Sequence, residues 1–246
     1  MKKSPIFILL AMIVLSLTIS TTKAEAAASP KQDKYIISLN AWNAQLTKSF
    51  STNFSEKSDQ TFFPVFIGYY NISDHWKLSG EYGSSRMTGL TPERAPGLEE
   101  EASRTVFGLR YDPMPGLYFN FAYPSMKLNM ENPTNTFKMN AKITGIQLGM
   151  GLGMYIKEPH VALGLEYNFS EDMQMLYTSG AGWAKAKGPA MDVKALVCYK
   201  FDQKWQIHGG FRYMMMDASA ATFGNMPVPK IKFTLKGPFF GMKYSF

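Results

Sequence analysis

The amino-acid sequence predicts an all-β fold, an up-and-down antiparallel transmembrane β-barrel of about ten strands preceded by a signal peptide. Three observations predict it. The N-terminus has the order of an export signal, apolar residues alternate with polar ones at period two, and the connections between predicted strands alternate between short and long. Residues 61–71 are apolar on both faces, so the number of strands is uncertain by one hairpin. A barrel of eight or twelve strands also fits the sequence.

Composition restricts the class of protein further. The chain has 246 residues, of which 46% are hydrophobic, a formal net charge of +7 and one cysteine. A single cysteine excludes a disulfide framework and a multi-cysteine metal cluster. The mean hydropathy of -0.16 excludes a membrane protein of many helices, which needs several long apolar runs.

Residues 1–28 are predicted to be a signal peptide, and residues 29–246 the barrel. Two lysines precede the apolar run Ile6–Ile19, which is too short to span a bilayer, and an alanine-rich stretch follows it. Cleavage is expected after Ala28, with Ala26 as the second candidate. A retained N-terminal anchor helix is the alternative.

In the rest of the chain, apolar and polar residues alternate with a period of two within separate segments. In Met191–Phe201 the odd positions are apolar or aromatic, and the even positions include Asp192, Lys194 and Lys200. Most segments are long enough to cross a bilayer as tilted strands. The predicted strands are residues 34–46, 61–71, 76–87, 103–111, 117–128, 141–156, 161–171, 190–201, 205–216 and 230–246.

The connections between these segments differ in length in a regular way. An up-and-down barrel gives such an alternation when its short turns face the periplasm and its long loops face outside. An even number of strands then places both termini on the short-turn side. Short turns are predicted at residues 71–75, 112–116, 157–160 and 202–204, and long polar loops near 47–60, 88–102, 129–140, 172–189 and 217–229.

Two prolines coincide with a change in the positions that are apolar. Apolar residues move from odd to even positions after Pro124, and again after Pro238. Proline removes a donor from the strand ladder. Each change is therefore expected to mark a β-bulge or the exit from the bilayer, with irregular pairing at both prolines.

A soluble β-sandwich or lipocalin-like barrel would also give alternating strands, with the apolar face turned inward. Strand length, aromatic residues near strand ends and a row of glycines on one face favour the membrane barrel. The glycine row suits a crowded interior, and consists of Gly145, Gly149, Gly151 and Gly153. The aromatic residues are Tyr70, Trp76, Tyr111, Tyr155, Trp205, Tyr244 and Phe246.

The last predicted strand ends in a regular series of apolar residues. Counting back from Phe246 by twos gives Tyr244, Met242 and Phe240. This ending resembles the C-terminal signature of Gram-negative outer-membrane β-barrel proteins, a class that includes small porin-like barrels and OmpA- and OmpW-like barrels. The resemblance implies a location in the cell outer membrane and recognition of these residues by the barrel assembly machinery. It also implies outer-membrane lipid and lipopolysaccharide as partners.

If the apolar faces meet lipid, the opposite faces line the interior. This lumen ladder carries an excess of lysine and arginine over acidic residues. Charges in an interior must be paired or hydrated. The ladder therefore either forms a closed network of ion pairs or lines a narrow wet path that favours anions. Its members are Lys77, Glu81, Arg104, Arg110, Glu166, Asp192, Lys194, Lys200, His208 and Arg212.

The sequence predicts no enzyme, cofactor, metal site or nucleic-acid partner. The ten-stranded omptin proteases are similar in strand count, but their chemistry needs a histidine near the outer rim. His75, His160 and His208 all fall at or near predicted short turns. The methionine-rich segments are interpreted as apolar filler, and Glu99-Glu100-Glu101 as a solvated loop.

Two functions remain open at this stage. The positive ladder favours a monomeric, small porin-like channel for small polar or anionic solutes. The alternative is a non-conducting structural or surface-interaction barrel that binds lipopolysaccharide or host molecules through its long loops. Cations in those loops suit lipopolysaccharide phosphates; they are Arg86, Arg94, Lys138, Lys185 and Lys187.

Overall fold

The described residues form one closed barrel of ten antiparallel strands, and this confirms the predicted fold class. The predicted signal peptide, its cleavage site and Arg94 lie outside the described residues. Within the described part of the chain, no helix is long and apolar enough to cross a membrane. The computed structural model describes residues 33–50, 55–87, 99–132, 137–157, 160–179, 182–219, 221–223, 226–228 and 230–246.

Strands β1 to β10 follow one another around the barrel, and the sixth consists of two segments, β6a and β6b, separated by Gly145-Ile146. Three short strands lie outside this set. Ser55–Lys57 pairs with β1, and Ala221–Phe223 forms a small hairpin with Met226–Val228. The barrel strands are β1 Tyr35–Phe50, β2 Thr61–Asn71, β3 Trp76–Met87, β4 Glu99–Met114, β5 Leu117–Asn132, β6a Phe137–Thr144, β6b Gln147–Lys157, β7 Val161–Ser179, β8 Gly182–Lys200, β9 Trp205–Ala218 and β10 Ile231–Ser245.

The barrel closes because β1 pairs with β2 on one side and with β10 on the other. In the closing ladder Ile36 lies opposite Ser245, and Phe50 lies opposite Ile231. Both ends of the described chain meet at the end that carries the short turns, where the Phe246 amide donates to the Tyr35 carbonyl at 2.9 Å. We name this the terminal end of the barrel, and the opposite one the distal end.

The strands extend further toward the distal end than the sequence predicts. The predicted loop 172–189 is largely paired strand, from Met173 opposite Gly188 to Ser179 opposite Gly182. Strands β1, β4, β5 and β6a likewise run into the predicted loops 47–60, 88–102 and 129–140. The outward residues of these segments are mostly polar, so the apolar stripe that marks the terminal half of each strand is absent from them.

The two halves of the barrel have opposite polarity. In the terminal half, apolar side chains such as Leu148 and Phe240 point outward and are exposed. In the distal half, apolar side chains such as Leu128 and Phe233 point inward and are buried, while Lys232 points outward. The expectation that the apolar faces point outward is therefore wrong for the distal half.

The bulges predicted at the two prolines are not present. On one flank the ladders continue, with Val106 opposite Pro124 and Phe211 opposite Pro238. On the other flank each ladder pauses for two residues and resumes in the same register. The change of apolar positions instead marks the boundary between the two halves, which agrees with the alternative of an exit from the bilayer. Register shifts occur elsewhere, at 111/114, 155/157 and 188/190.

The outer surface of the terminal half is a continuous apolar band. On β10 the outward residues from Pro238 to Phe246 are apolar, and at about 3.3 Å per residue with a tilt of about 40° they cover roughly 20 Å. Such a band is typical of a membrane-spanning barrel and excludes the soluble alternative. Exposed aromatic residues border it at the terminal rim; they are Tyr35, Tyr70, Trp76, Tyr155, Tyr199, Phe201, Trp205 and Phe246.

Candidate functional site in the barrel lumen

Inward-facing side chains divide the lumen into three layers. A cavity of about 350 Å³ lies at the terminal end. Ion pairs occupy the centre. Apolar side chains fill the distal half. The function of the barrel depends on whether these layers leave a path through it.

The central layer contains Glu81, Arg104, Asp192 and Arg212, which we name the ion-pair ring. Arg104 Nη2 lies 2.8 Å from Asp192 Oδ2, and Arg104 Nη1 donates to Glu81. Arg212 Nη1 lies 2.9 Å from Glu81 Oε1. Arg212 Nε and Nη2 donate to the two oxygens of Asp192 at 3.0 and 2.7 Å. Each arginine therefore contacts both carboxylates.

The ion-pair ring crosses the lumen from wall to wall. Glu81 and Arg104 come from β3 and β4, whereas Asp192 and Arg212 come from β8 and β9. These two pairs of strands stand opposite each other in the order around the barrel. The four side chains are at most 9% exposed. Because a buried ion pair is costly to break, the ring ties the two walls together.

Lys194 and Glu166 extend the ring toward the terminal end. Lys194 Nζ lies 3.4 Å from Glu166 Oε1 and 3.8 Å from Glu81 Oε2. Glu166 also accepts hydrogen bonds from the Tyr118 hydroxyl at 2.9 Å and from Asn168 Nδ2 at 2.7 Å. The central layer thus balances three cations against three carboxylates.

The predicted glycine row makes room for these contacts. Gly149 and Gly151 are buried on the lumen side of β6b. Gly151 lies between Tyr118 on β5 and Glu166 on β7, and a Cβ at Gly151 would clash with the Tyr118 ring. The absence of a side chain on the middle strand lets its two neighbours form a hydrogen bond across it.

The terminal layer has more cationic than anionic side chains. Lys77 and Arg110 share one carboxylate, because Asp112 lies 2.8 Å from Lys77 Nζ and 2.5 Å from Arg110 Nε. The Arg110 guanidinium also lies 3.6 Å from the centre of the Tyr118 ring. Lys243 lines the same cavity, and its side chain forms no hydrogen bond or ion pair with any described residue.

The distal layer is an apolar core that fills the lumen beyond the ion-pair ring. It is built from side chains of most strands, and its largest members are almost wholly buried. A soluble barrel packs its interior in the same way. The largest core side chains that are less than 2% exposed include Trp42, Leu46, Phe63, Met87, Leu128 and Met175.

One ion pair lies within this apolar core. Lys48 Nζ lies 2.7 Å from Glu100 Oε2, and both side chains are almost wholly buried. The interpretation of Glu99-Glu100-Glu101 as a solvated loop is therefore wrong, since Glu100 points into the barrel from β4 and Glu101 points out. Strand alternation, which places neighbouring residues on opposite faces, is the physical reason.

The structure brings most of the predicted lumen ladder together. Glu81, Arg104, Glu166, Asp192, Lys194 and Arg212 form the central layer, and Lys77 and Arg110 line the terminal cavity. His208 also lines it, with Nε2 2.5 Å from Asn40 Oδ1. Lys200 stands apart at the terminal rim, where its carbonyl and amide bind His160.

Four residues that line the lumen were not predicted from the sequence. Lys48 and Asp112 fall in segments predicted as connections, although β1 and β4 continue through them. Tyr118 and Lys243 lie on strands whose period of two is most visible in their outward apolar residues. The period of two could have identified them, because residues two positions apart on a strand point to the same face. Lys243 and Gly241, for example, share the inward face of β10.

The C-terminal signature residues occupy the outer surface. Phe240, Met242 and Phe246 are exposed in the apolar band on β10, and the Tyr244 ring packs against the Trp205 ring at 4.5 Å. Their recognition by the barrel assembly machinery stays a prediction. Among the described residues, no group of three or more His, Cys, Asp or Glu is placed to hold a metal ion.

The histidines lie where the sequence places them, toward the terminal end. His75 Nδ1 is 2.8 Å from the Asp112 carbonyl, and His160 Nδ1 is 2.9 Å from the Lys200 carbonyl. Both rings are exposed in turns. These contacts orient the two turns.

Together, the fold and the lumen define an outer-membrane type of β-barrel.

A search with protein-family models and a search of curated protein sequences each found no match. Solved structures are similar at low identity. Neisserial surface protein A is 14% identical, with a TM-score of 0.41 over 88% of this chain and 100% of that one. The NalP autotransporter translocator domain of Neisseria meningitidis is 11% identical, with a TM-score of 0.45 over 96% and 97%. The toluene transporter TodX of Pseudomonas putida is 9% identical, with a TM-score of 0.37 over 89% and 91%.

Proposed function

We propose that this outer-membrane barrel is non-conducting and functions as a surface-interaction protein through its distal half. One observation carries the proposal: the lumen is bridged by the ion-pair ring and filled by the distal core, while most outward side chains of the distal half are polar. With the short turns in the periplasm, this polar wall stands outside the bilayer.

The occluded lumen supports the non-conducting alternative over the porin-like channel. A continuous water path would require the ring to open, and breaking a buried ion pair costs about 3–5 kcal/mol. The path would also have to displace the apolar core around Trp42 and Leu128. The excess of cations in the terminal cavity favours an anion-selective channel only if both of these barriers are removed.

The distal outer wall favours lipopolysaccharide phosphates as a partner. Lys127 and Lys142 lie directly opposite each other on β5 and β6a, and both point outward. Neither forms an ion pair with a described acidic residue. Like charges in this position repel each other unless an anion lies between them. Lys138 and Lys187 of the same wall already pair with Glu131 and Asp172 and are not part of this site. Other exposed cations of the wall are Lys57, Arg86, Lys185, Lys230, Lys232 and Lys236.

Single-channel conductance in planar bilayers tests the first half of the proposal. The folded barrel is expected to give no steady current steps across a salt gradient. Steady anion-selective steps, reduced by Arg110→Glu or Lys194→Glu, would establish the porin-like channel instead. Circular dichroism of the same preparation must first show the β-sheet spectrum of a folded barrel. That spectrum should be lost when the protein is unfolded by heat.

Retention on immobilised lipopolysaccharide tests the second half. The double variant Lys127→Gln and Lys142→Gln is expected to bind several-fold more weakly than the wild type, because two phosphate contacts are lost. The matched control is Lys138→Gln with Lys187→Gln, whose side chains already pair with Glu131 and Asp172. Equal weakening by both double variants would reject a specific site at the first pair. Host molecules are the partner class to screen in that case.

A further inference from the structure

The terminal cavity is closed on its distal side. Its lining includes Ile36, Lys77 and Lys243, which lie near the strand ends at the terminal rim. Its roof contains Trp42 and Arg212, with the Arg212 guanidinium 5.0 Å from the centre of the Trp42 ring. The cavity is therefore a blind pocket that a solute enters and leaves through the terminal end.

The charges of the pocket favour an anion. Lys243 stands on β10 between Ser38 of β1 and Gln206 of β9, and no described residue provides a counter-ion for it. Lys77 and Arg110 share one carboxylate, that of Asp112. Among the described residues, these three lining cations therefore have a single carboxylate between them, whereas Lys194 and Arg212, which also line the pocket, pair with carboxylates of the central layer. An ammonium group withdrawn from bulk water is stabilised when an anion binds to it.

The rest of the lining is apolar enough to bind more than an inorganic ion. Ile67, Leu196 and Phe239 line the pocket together with the charged side chains. Its volume of about 350 Å³ lies in the range of small-molecule sites. Sites of this kind combine apolar walls with a few polar groups that fix the orientation of the ligand.

We propose that the terminal pocket binds a small organic anion. The carboxylate or phosphate group of the ligand pairs with Lys243, and its apolar body, about the size of one aromatic ring, packs against Leu196 and Phe239. The ligand does not cross the barrel, because the ion-pair ring closes the roof. This site lies at the opposite end from the lipopolysaccharide surface, so each proposal can fail without the other.

Calorimetric titration of the barrel in lipid nanodiscs tests the site, with phenyl phosphate as the probe. The wild type is expected to bind one phenyl phosphate saturably. Lys243→Gln is expected to raise Kd about tenfold or more, since a charge-assisted hydrogen bond contributes on this scale. Lys200→Gln is the matched control, because Lys200 is a half-buried rim cation outside the pocket. Its Kd should stay within about twofold of the wild-type value.

A second variant tests the apolar half of the proposal. Leu196→Phe fills the space for the ring and is expected to weaken phenyl phosphate while leaving inorganic phosphate unchanged. Benzoate should compete with phenyl phosphate, since both carry an anionic group on one ring. The proposal is overturned if folded wild-type protein shows no saturable binding, if Lys243→Gln binds normally, or if inorganic phosphate binds as tightly as phenyl phosphate.

Discussion

Arg212 binds Asp192 through a two-point contact at the centre of the barrel, with Nε–Oδ1 at 3.0 Å and Nη2–Oδ2 at 2.7 Å. The two residues stand on neighbouring strands and meet diagonally, because Arg212 lies opposite Lys194 in the ladder. The remaining Nη1 reaches Glu81 on the opposite wall. Since the planar guanidinium fork matches a carboxylate, arginine can hold one wall and contact the other at the same time.

Loss of Arg212 should therefore destabilise the barrel strongly. Arg212→Met leaves two buried carboxylates with Arg104 as their main partner, and the expected loss in the free energy of unfolding is about 3–5 kcal/mol. Urea unfolding of the refolded barrel, followed by tryptophan fluorescence, measures it. The control is Lys138→Met in the exposed Lys138–Glu131 pair, where a loss below about 1 kcal/mol is expected. Similar losses in both variants would show that the ring has no special role.

The glycine at the Tyr118–Glu166 contact gives a second prediction. Gly151→Ala places a Cβ against the Tyr118 ring and should break the hydrogen bond to Glu166, with an expected loss of about 1–3 kcal/mol. Gly68→Ala is the matched control, because a Cβ at Gly68 would have no atom within 4 Å. That variant should be neutral or more stable by up to about 1 kcal/mol. Equal behaviour of the two alanines would contradict the crowding of the lumen at Gly151.

The terminal half of the barrel follows directly from the sequence. Alternation in Met191–Phe201 predicts which side chains meet lipid, and the charges at Asp192 and Lys194 mark the lumen face. The distal half does not follow in the same way, because apolar residues at Ile231, Phe233 and Leu235 look like a lipid-facing stripe that has changed register. A strand that changes register within the bilayer and a strand that keeps its register and leaves the bilayer give the same pattern of apolar residues. One sequence therefore does not distinguish the two cases.

The ion-pair ring shows the same limit at the level of the site. Sequence periodicity places Glu81, Arg104, Asp192 and Arg212 on the lumen side of their strands. It does not reveal that β3 and β4 stand opposite β8 and β9, which depends on the strand count and the closure of the barrel. The pairing across the lumen therefore required the three-dimensional structure.

The reversed polarity of the distal half can be tested with two adjacent residues of β10. Phe233→Ala opens a void in the distal core and should cost about 3–5 kcal/mol of unfolding free energy. Lys232→Ala changes an outward, exposed side chain and should shift it by less than about 0.5 kcal/mol. Chemical denaturation in the same lipid vesicles compares them. A larger loss for Lys232→Ala would mean that the distal strand faces the other way.

The turn between β8 and β9 gives a pH-dependent prediction outside the membrane band. The backbone amides of Trp205 and Lys204 donate to Asp202 Oδ1 at 2.8 and 2.7 Å, and they hold the pKa of Asp202 below its usual value. Because the folded-state pKa is lowered, the stabilisation is fully present above the unfolded-state pKa of about 3.9 and is lost as pH falls through the lowered pKa. Carboxyl-detected NMR titration should give Asp202 a midpoint below about 3.9. In Asp202→Asn, which keeps an oxygen acceptor, the stability of the turn should no longer depend on pH in this acidic range. A normal or raised midpoint for Asp202 would show that the two amides do not bind the carboxylate in solution.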